Sequence, residues 1–375
     1  MKKSRKRRVI VSVTNDLSTD QRVKKVCESL LKLDLEILLI GRNLPDSRSI
    51  KRPYKYIRMN LLFNKGALFY AEYNLRLFLI LLFSKVDVYH SNDLDTLLAN
   101  YLASIIRRKP IVYDSHEYFT GVPEIQNKTF VKKVWTTIEN HIFPKLKHIF
   151  TVNQSIASLY EKQYGKQLKI IRNIPRKKTW TIDKSRQQLG LPENKKIIIT
   201  QGAGINIDRG VEEALEAMQF LNDVCFVIIG NGDVIPKLKK RTFELNLEKS
   251  IIFKDKMPYE QMMQYTQHAE LGLSLDKNTN INYRLSLPNK IFDYIHAGVP
   301  ILASKIKEVE AVITKHRIGL FIENHEPKHI AQQIEKALDE NLKFKYQKNI
   351  KNAALQLNWE NEEKNLVEVY KKIAK

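Results

Sequence analysis

The sequence is short of acid. Against 63 lysines and arginines it carries 41 aspartates and glutamates, a formal net charge of +22 over 375 residues. A balance so basic implies anionic partners: phosphate-bearing ligands, nucleic acid or an anionic membrane surface. Cysteine is scarcer still. Cys27 and Cys225 fall in separate predicted domains, one on a helix and one in an apolar strand. Both read as buried thiols, which excludes a disulfide framework, and nothing else suggests a metal cage. A secretory leader is not expected. The basic start, Met1 to Arg8, is followed only by Val9-Ile-Val-Ser-Val13 before polar Thr14-Asn-Asp16, too short for a signal-peptide apolar region. The expected compartment is the cytoplasm. No recognisable nucleic-acid module or interleaving of aromatic and basic residues appears, so nucleic acid is not an expected partner. The first strand–helix turn has no Gly-x-Gly-x-x-Gly, which argues against NAD or FAD.

What is present is a repeated alternation of short apolar runs with helical periodicity. Val9–Val13, Leu35–Ile40 (closed by Gly41), Lys55–Asn60, Asp87–Ser91, Pro110–Asp114, Ile149–Val152 and Lys169–Ile174 read as strands. The pattern changes across residues 176–194 and restarts at Lys196–Thr200. Further strands are expected at Cys225–Ile229, Ile251–Phe253, Leu271–Leu275, Val299–Ala303 and Gly319–Ile322. This is an α/β chain of two tandem Rossmann-like, doubly wound domains. The expected division is 1–175, a linker at 176–194, 195–355, and a closing helix at 356–375. Ligands of this class bind at the carboxyl edges of the sheets, in the cleft that the two domains are expected to face.

One stretch organises the reading: Leu285 to Ser304. Pro288 opens a helix, Gly298 stops it, and a buried strand follows. The free N–H groups of such a helix start suit an anion. Lys290 adds a cation and Asp293 an acceptor, a pairing that fits a nucleotide diphosphate with its ribose. The greasy run Leu75–Phe83 is shorter than a bilayer span. It reads as a crossover helix on the sheet; a second reading rests its exposed flank, with neighbouring Lys and Arg, on an anionic membrane.

Pro-Asn-Lys-x-Phe-Asp-Tyr-x-x-x-Gly-x-Pro, residues 288–300, together with Gly202…Arg209-Gly210, Ile228-Ile-Gly-Asn-Gly232, Tyr113-Asp-Ser-His-Glu117 and the closing Trp359 helix, resembles the GT-B glycosyltransferases. The match is to family 4, the group 1 type, over essentially the whole chain. The resemblance implies a retaining enzyme that moves a sugar from a nucleotide-diphosphate donor to a glycan or lipid-linked acceptor, in polysaccharide or lipopolysaccharide assembly. Arg209 and Lys290 would hold the diphosphate, Asp293 the ribose, and His116 would reach the donor sugar. Gly202 and Gly204 would let backbone approach the ligand; Pro288, Asn289 and Gly230 are also counted among the donor-binding residues, although a glycine at 230 usually serves the tight turn. Neither cofactor nor metal is implied. Two departures stand out. The first acid of the family's Glu-x7-Glu pair is Leu285, with Asn280, Asn282 or Ser286 as substitutes. A usual extra arginine is Ala203. Asp93 and Asp95 form an Asp-x-Asp that is expected to cap a helix rather than bind metal, and Asp16 and Asp20 are expected to cap the first helix. His90 is expected to end its strand at the cleft edge. A GT-B-fold sugar-nucleotide 2-epimerase and a donor-binding relative with a degenerate site are the alternatives.

Overall fold

The computed structural model describes residues 5–45 and 47–373. The first four residues of the basic start, and the last two of the chain, lie outside that range.

In chain order the first elements are β1 (Arg8–Asp16), α1 (Gln21–Leu31), β2 (Glu36–Asn43), β3 (Lys55–Asn60), α2 (Gly66–Phe83), β4 (Val88–Asn92), α3 (Leu94–Arg107) and β5 (Ile111–Ser115). They are followed by α4 (Pro123–Gln126), α5 (Thr129–Ile142), β6 (His148–Thr151), α6 (Gln154–Tyr164) and β7 (Lys169–Ile170). The strands form one seven-stranded parallel sheet in the order β3-β2-β1-β4-β5-β6-β7. Val9, Ile10, Val11 and Val13 of β1 are all buried, as a central parallel strand covered on both faces requires. Asp20 does cap α1, accepting from the Val23 amide at 2.9 Å. Asp16 instead closes the preceding turn, accepting from the Ser18 amide at 2.9 Å and from Arg58 at 3.2 Å. Gly41 does not end its strand. It lies inside β2, where a Cβ would come within 2.3 Å of Leu17 Cδ2.

The second set runs α7 (Arg186–Leu189), β8 (Lys196–Gly202), α8 (Val211–Ala217), β9 (Val224–Gly230), α9 (Ile235–Glu244), β10 (Ile251–Lys254), α10 (Tyr259–Gln267) and β11 (Leu271–Ser274). It continues with α11 (Ile281–Arg284), α12 (Asn289–Ala297), β12 (Ile301–Ser304), α13 (Lys307–His316), β13 (Gly319–Ile322), α14 (Pro327–Ala337) and α15 (Glu340–Gln356). These strands form a six-stranded parallel sheet, β10-β9-β8-β11-β12-β13. The last helix is α16 (Trp359–Ile373).

The chain divides into two compact units, residues 1–173 with 360–375, and residues 174–359. Residues 176–194, expected as a linker, belong to the second unit. Leu189 and Leu191 within them, and Ile174 just before, sit in its core with Ile197, Ile199 and Ile291. The closing helix α16 belongs to the first unit, where Glu362 accepts from Arg172 at 2.6 Å and the Tyr370 hydroxyl meets His90 Nδ1 at 2.7 Å.

Candidate functional site

In the second unit, the loops at the carboxyl ends of β8, β9 and β11 and the start of α12 share one sheet edge. β8 ends in Gly202 and β9 in Gly230, paired in register. Their φ angles are +154° and +134°, and a Cβ on Gly230 would lie 1.8 Å from the Gly202 carbonyl oxygen. Only glycine permits that approach. Gly210, with φ +69°, turns the chain into α8, and a Cβ there would meet the Leu275 carbonyl at 2.1 Å. That contact pins the β8 loop against the end of β11 and so places Arg209. Gly204 is unconstrained by comparison, with no atom nearer to a Cβ than 3.8 Å.

Arg209 Nη1 donates to Asp276 Oδ1 at 2.7 Å, and its guanidinium lies 4.1 Å over the Tyr283 ring. Asp276 is 1% exposed and also accepts from Ser274 at 3.2 Å. Burial pushes its carboxyl up, but Lys290 and Arg209 outweigh that and hold it below the usual carboxylate range. Lys290 makes no hydrogen bond or ion pair among the described residues. Burial and the neighbouring Arg209 lower its pKa against the pull of Asp276. One carboxylate thus faces two cations, and the net charge of the trio is positive. Sequence reasoning missed Asp276, which sits two residues past β11; an acid at the carboxyl end of a parallel strand was the available signal.

Pro288 is the residue before α12 rather than its first, with φ −61° and ψ 134°, and Asn289 and Lys290 open the helix. Gly298 ends it in the left-handed conformation, φ +80°. Asp293 is buried one turn further in. Its Oδ1 accepts from the Tyr259 hydroxyl at 2.8 Å and its Oδ2 from Gln201 Nε2 at 3.2 Å, while Gln201 Oε1 accepts from Thr266 at 2.7 Å. This chain of donors fixes the carboxylate's orientation. Of the residues proposed to replace the missing acid at Leu285, Asn280 caps α11 through the Tyr283 amide at 2.9 Å, and Ser286 donates to the Tyr283 carbonyl at 2.8 Å.

His116 belongs to the other unit, just past β5. Its Nδ1 is 3.1 Å from Asp93 Oδ2, and its Nε2 is 3.2 Å from Asn92 Oδ1 and 3.5 Å from Asp114 Oδ2. Burial alone would depress its pKa, but Asp93 and Asp114 raise it to about 10. His116 is therefore an imidazolium with both nitrogens engaged. Asp114 is held well below the usual range, burial being overcome by Arg22 and His116. Arg22 grips it in a fork, at 3.0 and 2.6 Å.

The Asp-x-Asp does not cap α3. Asp93 makes no side-chain bond to the helix; it sits at φ 57°, ψ 169°, a strained position for a non-glycine residue. Its carboxylate accepts from the His116 amide at 2.8 Å. Asp95 accepts from Thr14 at 2.5 Å, and burial followed by Asp93 pushes its pKa up to about 7. His90 is also not at an edge: it is fully buried inside β4, stacked on Tyr370.

Two parallel sheets flanked by helices, with a cationic cluster at the carboxyl edge of the second, define an enzyme of the GT-B glycosyltransferase class. Family descriptions agree: "Glycosyltransferase Family 4" matches residues 20–176 and "Glycosyl transferases group 1" residues 181–357. The chain belongs to the family 4-like, group 1 glycosyltransferases. Among curated proteins none matches its sequence. Among solved structures, a glycosyltransferase from Rickettsia africae is similar at TM-score 0.74 and 16% identity, covering 99% of both chains. Sucrose-phosphate synthase from Thermosynechococcus elongatus is similar at TM-score 0.79 and 15% identity, covering 98% of this chain and 99% of that one. Anabaena HepE in complex with UDP-glucose gives TM-score 0.73 at 16% identity, covering 97% and 99%.

Proposed function

We propose that the protein is a retaining glycosyltransferase. It moves a hexose-type sugar from a nucleotide-diphosphate donor to a glycan or lipid-linked acceptor in cell-surface polysaccharide or lipopolysaccharide assembly. The observation that carries this is the Arg209–Asp276–Lys290 cluster beside the start of α12, where Lys290 makes no ion pair of its own among the described residues. A diphosphate supplies that anion. As the bond from the anomeric carbon to the phosphate oxygen breaks, negative charge grows on the leaving diphosphate. Fixed cations aimed there stabilise the transition state more than the ground state. The acceptor hydroxyl forms the new bond on the same face of the sugar and passes its proton to the departing diphosphate oxygen. Asp293, held by Tyr259 and Gln201, accepts from the ribose hydroxyls. The likeness to a protein solved with UDP-glucose supports a nucleotide-sugar donor.

The test is a thermal-shift panel of nucleotide sugars, since a ligand that binds only the folded state raises the melting temperature. One or more should raise it, and transfer with that donor should give a product of the donor's own anomeric configuration. An unmoved melting temperature across the panel sinks the reading. Interconversion of donor sugars without any acceptor would mark an epimerase instead. Donor binding without transfer across a broad acceptor panel would mark a degenerate relative, as Leu285 allows.

Tyr259→Phe gives a finer check. The loss of one hydrogen bond to the buried Asp293 carboxylate should weaken nucleotide binding by about tenfold, on the order of 1–2 kcal/mol. Calorimetry with donor reads this directly. Wild-type affinity in the variant would remove Asp293 from the ribose site.

A further inference from the structure

Outside the donor site, the first unit presents an apolar surface that nothing above uses. α2 buries a single stripe: Phe69, Tyr73, Leu77 and Leu81. Its opposite face, at spacings of four residues, leaves Leu75 62%, Leu79 46% and Phe83 79% exposed. A helix that is apolar on both faces is not explained by packing on the sheet alone. Neighbouring α3 adds Leu102, Ile105 and Ile106, all more than 40% exposed. The two helices end side by side. Arg107 Nη1 at the end of α3 donates to the Leu82 carbonyl near the end of α2 at 2.7 Å, and Ala99 and Ala103 of α3 share a core cluster with Tyr73, Leu77 and Leu81. The exposed side chains thus make a patch larger than scattered surface residues would.

Charge at the same end is mainly basic, and Asp87 close by is already engaged by Arg5 at 2.7 Å and Lys109 at 3.7 Å. Lys85, Arg107 and Arg108 are exposed, and none forms an ion pair with a carboxylate among the described residues. Two interpretations of α2 are open to a helix of this length and composition, crossing a bilayer or lying on one. The tethered stripe decides between them: the Tyr73 hydroxyl donates to the Val13 carbonyl of β1 at 2.6 Å. A helix fixed to its own sheet cannot leave it to span.

We propose that the C-terminal ends of α2 and α3 dock on an anionic lipid bilayer, with Leu79, Phe83 and Ile106 entering the headgroup–acyl boundary and Lys85, Arg107 and Arg108 meeting the lipid charge. Apolar insertion and diffuse attraction to anionic lipid act together in such surfaces. The diffuse negative charge of a leaflet complements three cations that flank an apolar face and make no ion pair among the described residues. The inference stands on the first unit alone and is independent of which donor the second unit holds.

The experiment is cosedimentation of the full chain with phosphatidylcholine vesicles, with and without about 30% phosphatidylglycerol. The chain should pellet with the anionic vesicles and be released as salt rises. Leu79→Ser/Phe83→Ser/Ile106→Ser should lower the partition coefficient by about tenfold or more, with an unchanged melting temperature and unchanged thermal shift by nucleotide sugars. Lys85→Glu/Arg108→Glu should remove the salt-sensitive part. Phe83→Trp should be quenched by brominated lipid. No pelleting with anionic vesicles, or equal pelleting of the triple-serine variant, overturns the proposal. So does a dimer in sedimentation velocity that the triple-serine variant dissolves without any vesicle binding, which would make the face a contact between copies.

Discussion

Lys290→Met is expected to lower transfer by about 100- to 1,000-fold, the usual consequence of removing one charge-stabilising group from a transition state. The same variant should melt no lower than the wild type, and a small rise is expected. Lys290 is half-buried beside Arg209 without an ion-pair partner among the described residues, and its lowered pKa registers the cost of keeping it charged there. Methionine fills the same volume without that cost. Steady-state kinetics together with a melting curve check both halves. A variant that loses activity by unfolding, or one that transfers at the wild-type rate, contradicts the role given to Lys290. Arg209→Met is the less clean companion, because it leaves Asp276 buried with only Lys290 to oppose it.

Arg22→Met is the second large effect, and it falls on stability. Arg22 and Asp114 are both almost wholly buried, at 3% and 1% side-chain exposure. Deleting the arginine strands a carboxylate, for which about 3–5 kcal/mol of destabilisation is expected. Urea denaturation reads this as a lower midpoint for the first unit. Because His116 also opposes Asp114, the network has a pH signature. The folded pKa of His116 is raised from 6.5 to about 10. Its contribution is therefore complete below pH 6.5 and is lost as pH rises through about 10. Asp114 behaves oppositely: its depressed pKa supplies stability above the ordinary value of 3.8, lost on acidification below it. The stability difference between wild type and His116→Gln should accordingly shrink between pH 6.5 and 10. A difference that stays flat across that range would mean that His116 is neutral in the folded protein.

Strands and helices were largely legible because parallel strands buried on both faces leave unbroken apolar runs. Lys55–Asn60 was readable to the residue as β3. Lys169–Ile174 was read too long: ladder pairing stops at Ile170, and the chain turns toward Pro175, whose carbonyl accepts from the Trp359 amide at 2.8 Å. Arg209, Lys290 and Asp293 were singled out through motifs, and the structure brings Arg209 and Lys290 together around Asp276. Asp276 was not, because its meaning comes from a partner 67 residues away. Asp93, Asp95 and His90 were misread for the same reason. Capping is a local rule, and here contacts with His116, Thr14 and Tyr370 outweigh it.

The last helix bears on how the chain comes to be folded. The second unit is one continuous stretch, residues 174–359, and has every strand it needs once that stretch has left the ribosome. The first unit begins earlier but is finished later. Leu366 and Tyr370, fully buried in it, belong to α16, and Arg172 has its carboxylate only when Glu362 arrives. Domains made during synthesis ordinarily close in order from the amino end. Here α16 is made after the whole of the second unit, so the first unit cannot bury Leu366 and Tyr370 until that unit has been synthesised.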